Sequence, residues 1–340
     1  MKKVIIFLLV ILFLTGCNSN QKNVLNVLNW SSYIPDEIIR SFEEETGIIV
    51  NYGTYSSNEE LLAKISSAKS GTYDLIFPSD YMVELMKDRN LLEKMDMNQL
   101  EHAKNIKSEF LGLSFDPNNE YSLPFLGTTI VIAVNRDHIS DTIDSFNDLL
   151  NESYQNNIVL LDDQRIVIGM ANQALGYSLN DTDDTHLEDS KNWLLRLKKN
   201  VKAFDSDSPK TFLITNEVDI GVMWNAEAAL ALQNNPNIEI IYPRENSALS
   251  LDNYAIVKGA KHQENAYRFI DYLLQPEVMK QIVEEYPYIN VNQETEKILD
   301  ESYIDNPAAN IPEEIIDRAE MVQNIGSHIS KYDRLWAKIK

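Results

Sequence analysis

A short β-rich run followed by an amphipathic helix recurs along this chain, and that alternation restricts it to an α/β architecture. Val24-Leu25-Asn26-Val27-Leu28-Asn29-Trp30 reads as a buried first strand. Pro35 opens a helix through Ile38, Ile39 and Phe42, and Gly47 supplies its C-terminal stop. Residues 48–52 form a second strand, and Asn58 caps a helix carrying Leu61, Leu62, Ile65 and Ala68 that Gly71 ends. Residues 73–77 give a third strand, with Ser79-Asp80 capping the helix behind it. The pattern returns at 219–224, running into a helix from about Ala226 to Leu232. It continues with a helix at 266–274, then another that begins at Pro276 and runs through Val278, Ile282 and Val283. Mainly parallel sheets are expected from such alternation. No internal repeat, low-complexity tract or long Pro/Gly/Ser linker interrupts it.

The N-terminus carries an address. Lys2 and Lys3 precede an apolar run over 4–14 that is too short to span a bilayer, so it reads as a secretory segment. Leu14-Thr15-Gly16-Cys17 matches a bacterial lipobox, in which the cysteine thiol is lipidated and becomes the new N-terminus. Cys17 is the only cysteine, so a disulfide framework is excluded. The expected organisation is a signal peptide at 1–16 and a lipidated tether at 17–22. The protein is then held by its acyl chains on the extracytoplasmic face of the cell membrane, in the periplasm if there is an outer membrane. About 320 residues remain, enough for two ordinary domains.

The formal charge is −22, and two units more negative once Lys2 and Lys3 leave. So acidic a surface argues against nucleic acid, which needs a basic patch, and favours the approach of small cations. Chemistry is missing. No G-x-S-x-G elbow, P-loop or dinucleotide fingerprint occurs. The five histidines, His102, His138, His186, His262 and His328, lack metal-ligand spacing. Neither catalytic residues, nor a metal, nor a cofactor is expected, and an enzyme is the class least supported.

In open α/β sheets ligands sit beyond the carboxyl ends of the strands. Three strand-to-helix turns here place an aromatic beside polar residues: Asn29-Trp30-Ser31-Ser32-Tyr33, Pro78-Ser79-Asp80-Tyr81 and Trp224-Asn225-Ala226-Glu227. A cation with a methylene stem suits such a mix, its head on π faces and carboxylates, its stem on ring surfaces. Helix N-termini attract anions, so a cation receptor must override them with acids. Asp80, Glu227 and Asp252 are the candidates. Asp80 also reads as a helix cap and Glu227 as dipole complementarity. Asp252, within Leu249-Ser250-Leu251-Asp252-Asn253-Tyr254, sits in an apolar strand where a solvated carboxylate is least expected.

At these residues the chain resembles the periplasmic spermidine/putrescine-binding proteins, the solute receptors of polyamine ABC importers. The similarity runs in order through Asn29-Trp30-Ser31-Ser32-Tyr33-Ile34-Pro35, Phe42-Glu43-Glu44-Glu45-Thr46-Gly47-Ile48 and Ser57-Asn58-Glu59. It continues through Tyr73-Asp74-Leu75-Ile76-Phe77-Pro78-Ser79-Asp80-Tyr81, Ser114-Phe115-Asp116-Pro117-Asn118-Asn119, Tyr121-Ser122-Leu123-Pro124 and Leu175-Gly176-Tyr177-Ser178, to Asp252 in its strand. The resemblance implies a two-lobed, type II periplasmic-binding-protein-like fold with two crossovers and a hinge. It implies lobes of 23–129 plus 252–295 and of 130–251 plus 296–340. Its binding positions fall on Trp30, Ser31 and Tyr33, on Ser79 and Tyr81, and on Asp163, Ser206, Trp224, Asp252 and Tyr286.

Two departures accompany the match. Ile166 stands where the family usually has Glu after D-D-x-R, and Ser250 where a bulky aromatic usually precedes the Asp. Loss of one acid facing a buried ammonium costs about 2–5 kcal/mol. Glu227, where some relatives carry an acid, is expected to compensate as a ligand partner. The implied function is a monomeric receptor that delivers putrescine or spermidine to permease subunits, touching the membrane only through its lipid. A receptor for another organic amine, or a sensory or adhesive surface module on the same fold, remains open at this level.

Overall fold

The computed structural model describes residues 23–340; the expected signal peptide, Cys17 and the rest of the tether lie outside them. The described chain begins on β1 (Val24–Trp30), then passes through α1 (Asp36–Thr46), β2 (Ile49–Tyr55), α2 (Asn58–Ser67), β3 (Leu75–Ile76) and α3 (Asp80–Asp88). β1 pairs in parallel with β2 on one side and β3 on the other. Leu25, Val27 and Leu28 are all buried, as its nearly continuous apolar run requires of a strand covered on both faces. α1 buries Ile38 and Phe42, four residues apart on one face. Gly47 ends α1 at a φ of 70° with its N–H on the Glu43 carbonyl, and no atom lies within 4 Å of where a Cβ would stand. The glycine is therefore needed for backbone conformation, not for space.

Two expected boundaries move. Ser57, not Asn58, caps α2, its hydroxyl accepting the Glu60 N–H at 3.1 Å. Asn58 turns inward instead and donates to the Ser79 hydroxyl, and the helix ends at Ser67 rather than at Gly71. β3 is shorter than expected, with only Leu75 and Ile76 paired.

A long strand, β4 (Leu123–Asn135), is buried along its whole length and leads to a second group of elements. These are β5 (Ile158–Leu160), α4 (Gln164–Ala174), α5 (Asp184–Leu197), β6 (Val201–Phe204), α6 (Lys210–Ile214), β7 (Ile220–Trp224), α7 (Asn225–Asn234) and β8 (Ile238–Ile241). β9 (Ala248–Ile256), also fully buried, returns the chain to the first group. There α8 (Gln263–Leu273), α9 (Pro276–Glu285) and β10 (Ile289–Asn290) are added. Three short helices follow, α10 (Gln293–Glu296), α11 (Glu301–Ile304) and α12 (Glu313–Arg318), then β11 (Glu320–Met321) and α13 (Ile329–Ile339).

The strand order is β2-β1-β3-β9-β4-β7-β5-β6, with β8 and β10 on β4 and β11 on β9. β4 pairs with β9 from Leu123 to Thr129, then from Ile130 with β7 and from Ile132 with β8. The far end of β9 pairs with β3. These two antiparallel strands thus link the β1–β3 group, through β9, to the β5–β8 group, through β4, and they are the two crossovers of a two-lobed α/β fold. The sheets are mixed rather than mainly parallel. The parallel pairs are β1/β2, β1/β3, β5/β6, β5/β7 and β9/β11, whereas every pairing of β4 is antiparallel. The reason is that the crossovers run against the strands they join.

Replacing Gly47 by Ala is expected to destabilise the fold by about 1–2 kcal/mol, the cost of a left-handed residue with a Cβ. Urea denaturation would read this as a lower midpoint at an unchanged slope.

Candidate functional site

The strand-to-helix turns of both lobes open into one cavity of about 250 Å³. Trp30, Ser31 and Tyr33 reach it from the turn after β1, and Ser79 and Tyr81 from the start of α3. Asp163 enters as the N-cap of α4 and Ser206 from the segment after β6. Trp224 and Glu227 come from the β7–α7 turn, and Asp252 from the middle of β9. Ten of the eleven expected cleft positions therefore share one hollow.

Asp252 is its chemical centre. Only 3% exposed, it accepts the Tyr33 hydroxyl at 2.6 Å on one oxygen and the Ser79 hydroxyl at 2.7 Å on the other. Burial pushes its carboxyl up to about 6, while the two hydroxyls pull it down. Ser79 is the N-cap of α3 but makes no side-chain cap bond, because its hydroxyl is committed to Asp252. Asn58 holds it there, donating to the hydroxyl and accepting the Ser79 N–H. Asp80 lies behind the wall and not in the lining. It accepts the Tyr81 and Leu251 N–H groups and the Ser250 hydroxyl, and burial pushes it up to about 8.

Rings surround this carboxylate. The Trp30 and Tyr55 centroids are 4.5 Å apart, and both side chains donate to the Phe77 carbonyl, the indole at 3.0 Å and the phenol at 2.6 Å. Tyr33 packs on Tyr288 with centroids 4.4 Å apart. On the facing lobe Trp224 is half-buried at the end of β7. Asp163 caps α4, one oxygen accepting the Arg165 and Ile166 N–H groups, and burial outweighs these bonds to raise its carboxyl. The Ser206 hydroxyl accepts the Asp162 N–H at 2.8 Å, tying the ends of β5 and β6 together.

Two expected cation contacts are already taken by the chain's own cations. The Arg165 guanidinium lies 5.5 Å from the centre of the Tyr81 ring, and the Lys210 ammonium bonds both Glu227 oxygens at 2.8 and 2.9 Å. Glu227 therefore lines the cavity as half of an ion pair and not as a spare charge.

Tyr286 is the exception among the expected positions. It is the C-cap residue of α9 and does not line the cavity; the ring that does is Tyr288, two residues on and just ahead of β10. Sequence reasoning also missed Tyr55, Glu59, Arg165 and Trp336, all in the lining. Tyr55 ends a parallel strand next to β1, so the rule that found Trp30 applies to it as well. Among the described residues no cluster of His, Cys, Asp and Glu is disposed to hold a metal ion.

Residues 37–311 match the model of the bacterial extracellular solute-binding protein family. The chain belongs to this family. The spermidine/putrescine-binding periplasmic protein of Escherichia coli (strain K12) is 35% identical to this solute-binding protein over 328 residues, 96% of this chain and 94% of that one. A solved chain from Listeria monocytogenes superposes with a TM-score of 0.89 at 34% identity, covering 93% of this chain and 98% of that one. The spermidine/putrescine ABC transporter substrate-binding protein PotD from Streptococcus pneumoniae gives 0.81 at 36% identity, with the same coverage of 93% and 98%. Residues 1–18 match the prokaryotic membrane lipoprotein lipid attachment site, so this is a lipid-anchored extracytoplasmic protein.

A Tyr33→Phe change removes one of the two hydroxyl donors to the Asp252 carboxylate. The Asp252 titration, followed by carboxyl-carbon NMR, is expected to move upward from about 6 by about one unit.

Proposed function

We propose that this solute-binding protein is the receptor of an ABC importer and captures a polyamine, putrescine or spermidine, between its lobes. The observation that carries this is the buried Asp252 carboxylate, set among aromatic rings at the centre of the interlobe cavity. An ionised carboxylate kept from water is costly, and an incoming ammonium offsets that cost with a charge-assisted hydrogen bond. The rings of Trp30, Tyr33, Trp224 and Tyr288 supply π faces for the charged head and apolar surface for the methylenes. Asp163 offers a second acidic pole from the other lobe, with Ser31 and Ser206 nearby as polar groups. The names of the Escherichia coli and Streptococcus pneumoniae relatives, which specify spermidine and putrescine, support the same ligand class.

The lobes in this proposal are 23–129 plus 252–295 and 130–251 plus 296–340. β4 exchanges β9 for β7 as its partner at Thr129–Ile130, which supports the first division. Closure about the β4–β9 ribbon sequesters the guest, and the closed monomer is the form presented to the permease subunits. Cys17, within the matched attachment segment, is the residue we take to be acylated. No helix among the described residues is long and apolar enough to cross a membrane. The role is capture and delivery, without turnover.

Calorimetric titration with putrescine, spermidine, cadaverine and spermine is expected to give saturable binding with at least one of them; flat traces with all four would remove the polyamine reading. Asp252→Ala is expected to weaken that binding at least tenfold, about 1.4 kcal/mol. The pH dependence has a definite sign. The amine stays protonated throughout, with a pKa of about 10 like that of lysine, whereas Asp252 must lose its proton to pair with it. Because burial holds that carboxyl at about 6, affinity is expected to be flat above neutrality and to fall as pH drops through 6. The limiting slope for one coupled proton is about tenfold per pH unit. Binding near pH 6 then releases a proton, visible as a dependence of the heat on buffer ionisation.

A further inference from the structure

Six carboxylates line the cavity: Glu59, Asp162, Asp163, Asp207, Glu227 and Asp252. They are not equally available. Asp162 is paired with the Lys340 ammonium at 2.8 Å, and Asp207 is exposed to solvent. Glu227 is 6% exposed, and both its oxygens are held by Lys210 from α6. Lys210 is itself outside the lining, so it reaches this acid from behind the wall and leaves the hollow open. The acids left for a guest form two poles. One is Asp252 with its Tyr33 and Ser79 hydroxyls; the other is Asp163 with Glu59, to which the Tyr81 hydroxyl donates at 3.4 Å. The Arg165 guanidinium in the same lining acts on both Asp163 and Glu59 through space, unlike the bidentate grip of Lys210 on Glu227. Ile166, also in the lining, is apolar and adds no acid.

We propose that Lys210 is a specificity-determining residue: by holding both Glu227 oxygens it withdraws that carboxylate from the cleft and selects diamines over triamines. This rests on the polyamine reading given above. A diamine has one ammonium for each free pole and methylenes for the rings between them. A triamine brings a third charge that must leave water. The only buried acid left to receive it is neutralised by a cation of the chain, and the Lys210 ammonium repels the newcomer. The Lys210–Glu227 pair is bidentate and well shielded, with side chains 26% and 8% exposed, so solvent does not readily open it. Arg165 acts in the same direction, its guanidinium resting on the Tyr81 face that a third ammonium would otherwise use.

Putrescine and spermidine affinities are to be measured by calorimetry for the wild type, Lys210→Met, Lys210→Arg and the double variant Lys210→Met/Glu227→Gln, with folding of each checked by circular dichroism. The wild type is expected to favour putrescine. Lys210→Met, which frees Glu227, is expected to shift the affinity ratio at least tenfold towards spermidine. Lys210→Arg, keeping the ion pair, holds the wild-type preference, and the double variant loses the spermidine gain. A loss of packing alone would not be reversed by Glu227→Gln. A wild type that prefers spermidine, or a folded Lys210→Met with an unshifted ratio, overturns the proposal while leaving the polyamine receptor intact. Should Lys210→Met not fold, Lys210→Gln takes its place and the wild-type ratio still decides. A wild type that binds neither amine overturns the receptor reading, and this one with it.

Discussion

A carboxylate kept out of water on a strand shared by both lobes is the constraint around which this cleft is built. Asp252 stands in β9, where every residue is buried, so protein donors rather than bulk water must satisfy its oxygens. Two hydroxyls do so, each from a different turn of the first lobe. Ser79 gives up its cap role to provide one, and Asn58 departs from its expected place at the helix cap to orient it. Local rules for helix ends are thus broken at Ser79 and Asn58, which together supply and orient one of the donors to the functional acid. A polar network that is fully connected around one buried charge is rigid, and it leaves only the cationic partner to be supplied from outside.

The electrostatics of the cavity follow from competition between guest and chain for the same acids and rings. An acidic lining alone would attract any cation. Here Lys210, Lys340 and Arg165 occupy Glu227, Asp162 and the Tyr81 face in turn. The acids that remain to a guest are Asp252 and the Asp163–Glu59 pair, in a cavity also lined by aromatic rings. Specificity then arises from which acids are withheld as much as from which are offered.

Much of this was legible in the chain before any coordinates. The strand-to-helix turns carrying Trp30, Ser79 and Trp224 stood out because parallel strands end at ligand sites, and Asp252 stood out because an acid interrupts an apolar strand. β4 escaped notice: Pro124 and Gly127 disguise it, yet the proline sits at a register shift between Pro124 and Leu126 where no ladder donor is needed. Tyr286 came from the resemblance alone; it caps α9, whereas Tyr288, two residues on and just ahead of β10, lines the cavity. The Lys210–Glu227 and Arg165–Tyr81 contacts had no signal at all. Their partners lie on different elements, and pairings of that kind follow from the packing of the lobes, not from periodicity.

The ribbon of β4 and β9 joins the lobes, and it also carries Thr128, Ser250 and Asp252 into the cavity wall. Rotation about an axis displaces an atom in proportion to its distance from that axis. In the closure proposed above, Asp252, seated on the ribbon, would travel less than Trp224 and Asp163, which lie on the elements beyond it. A guest reaching the open form of that proposal would then meet the Asp252 pole already assembled by Tyr33 and Ser79.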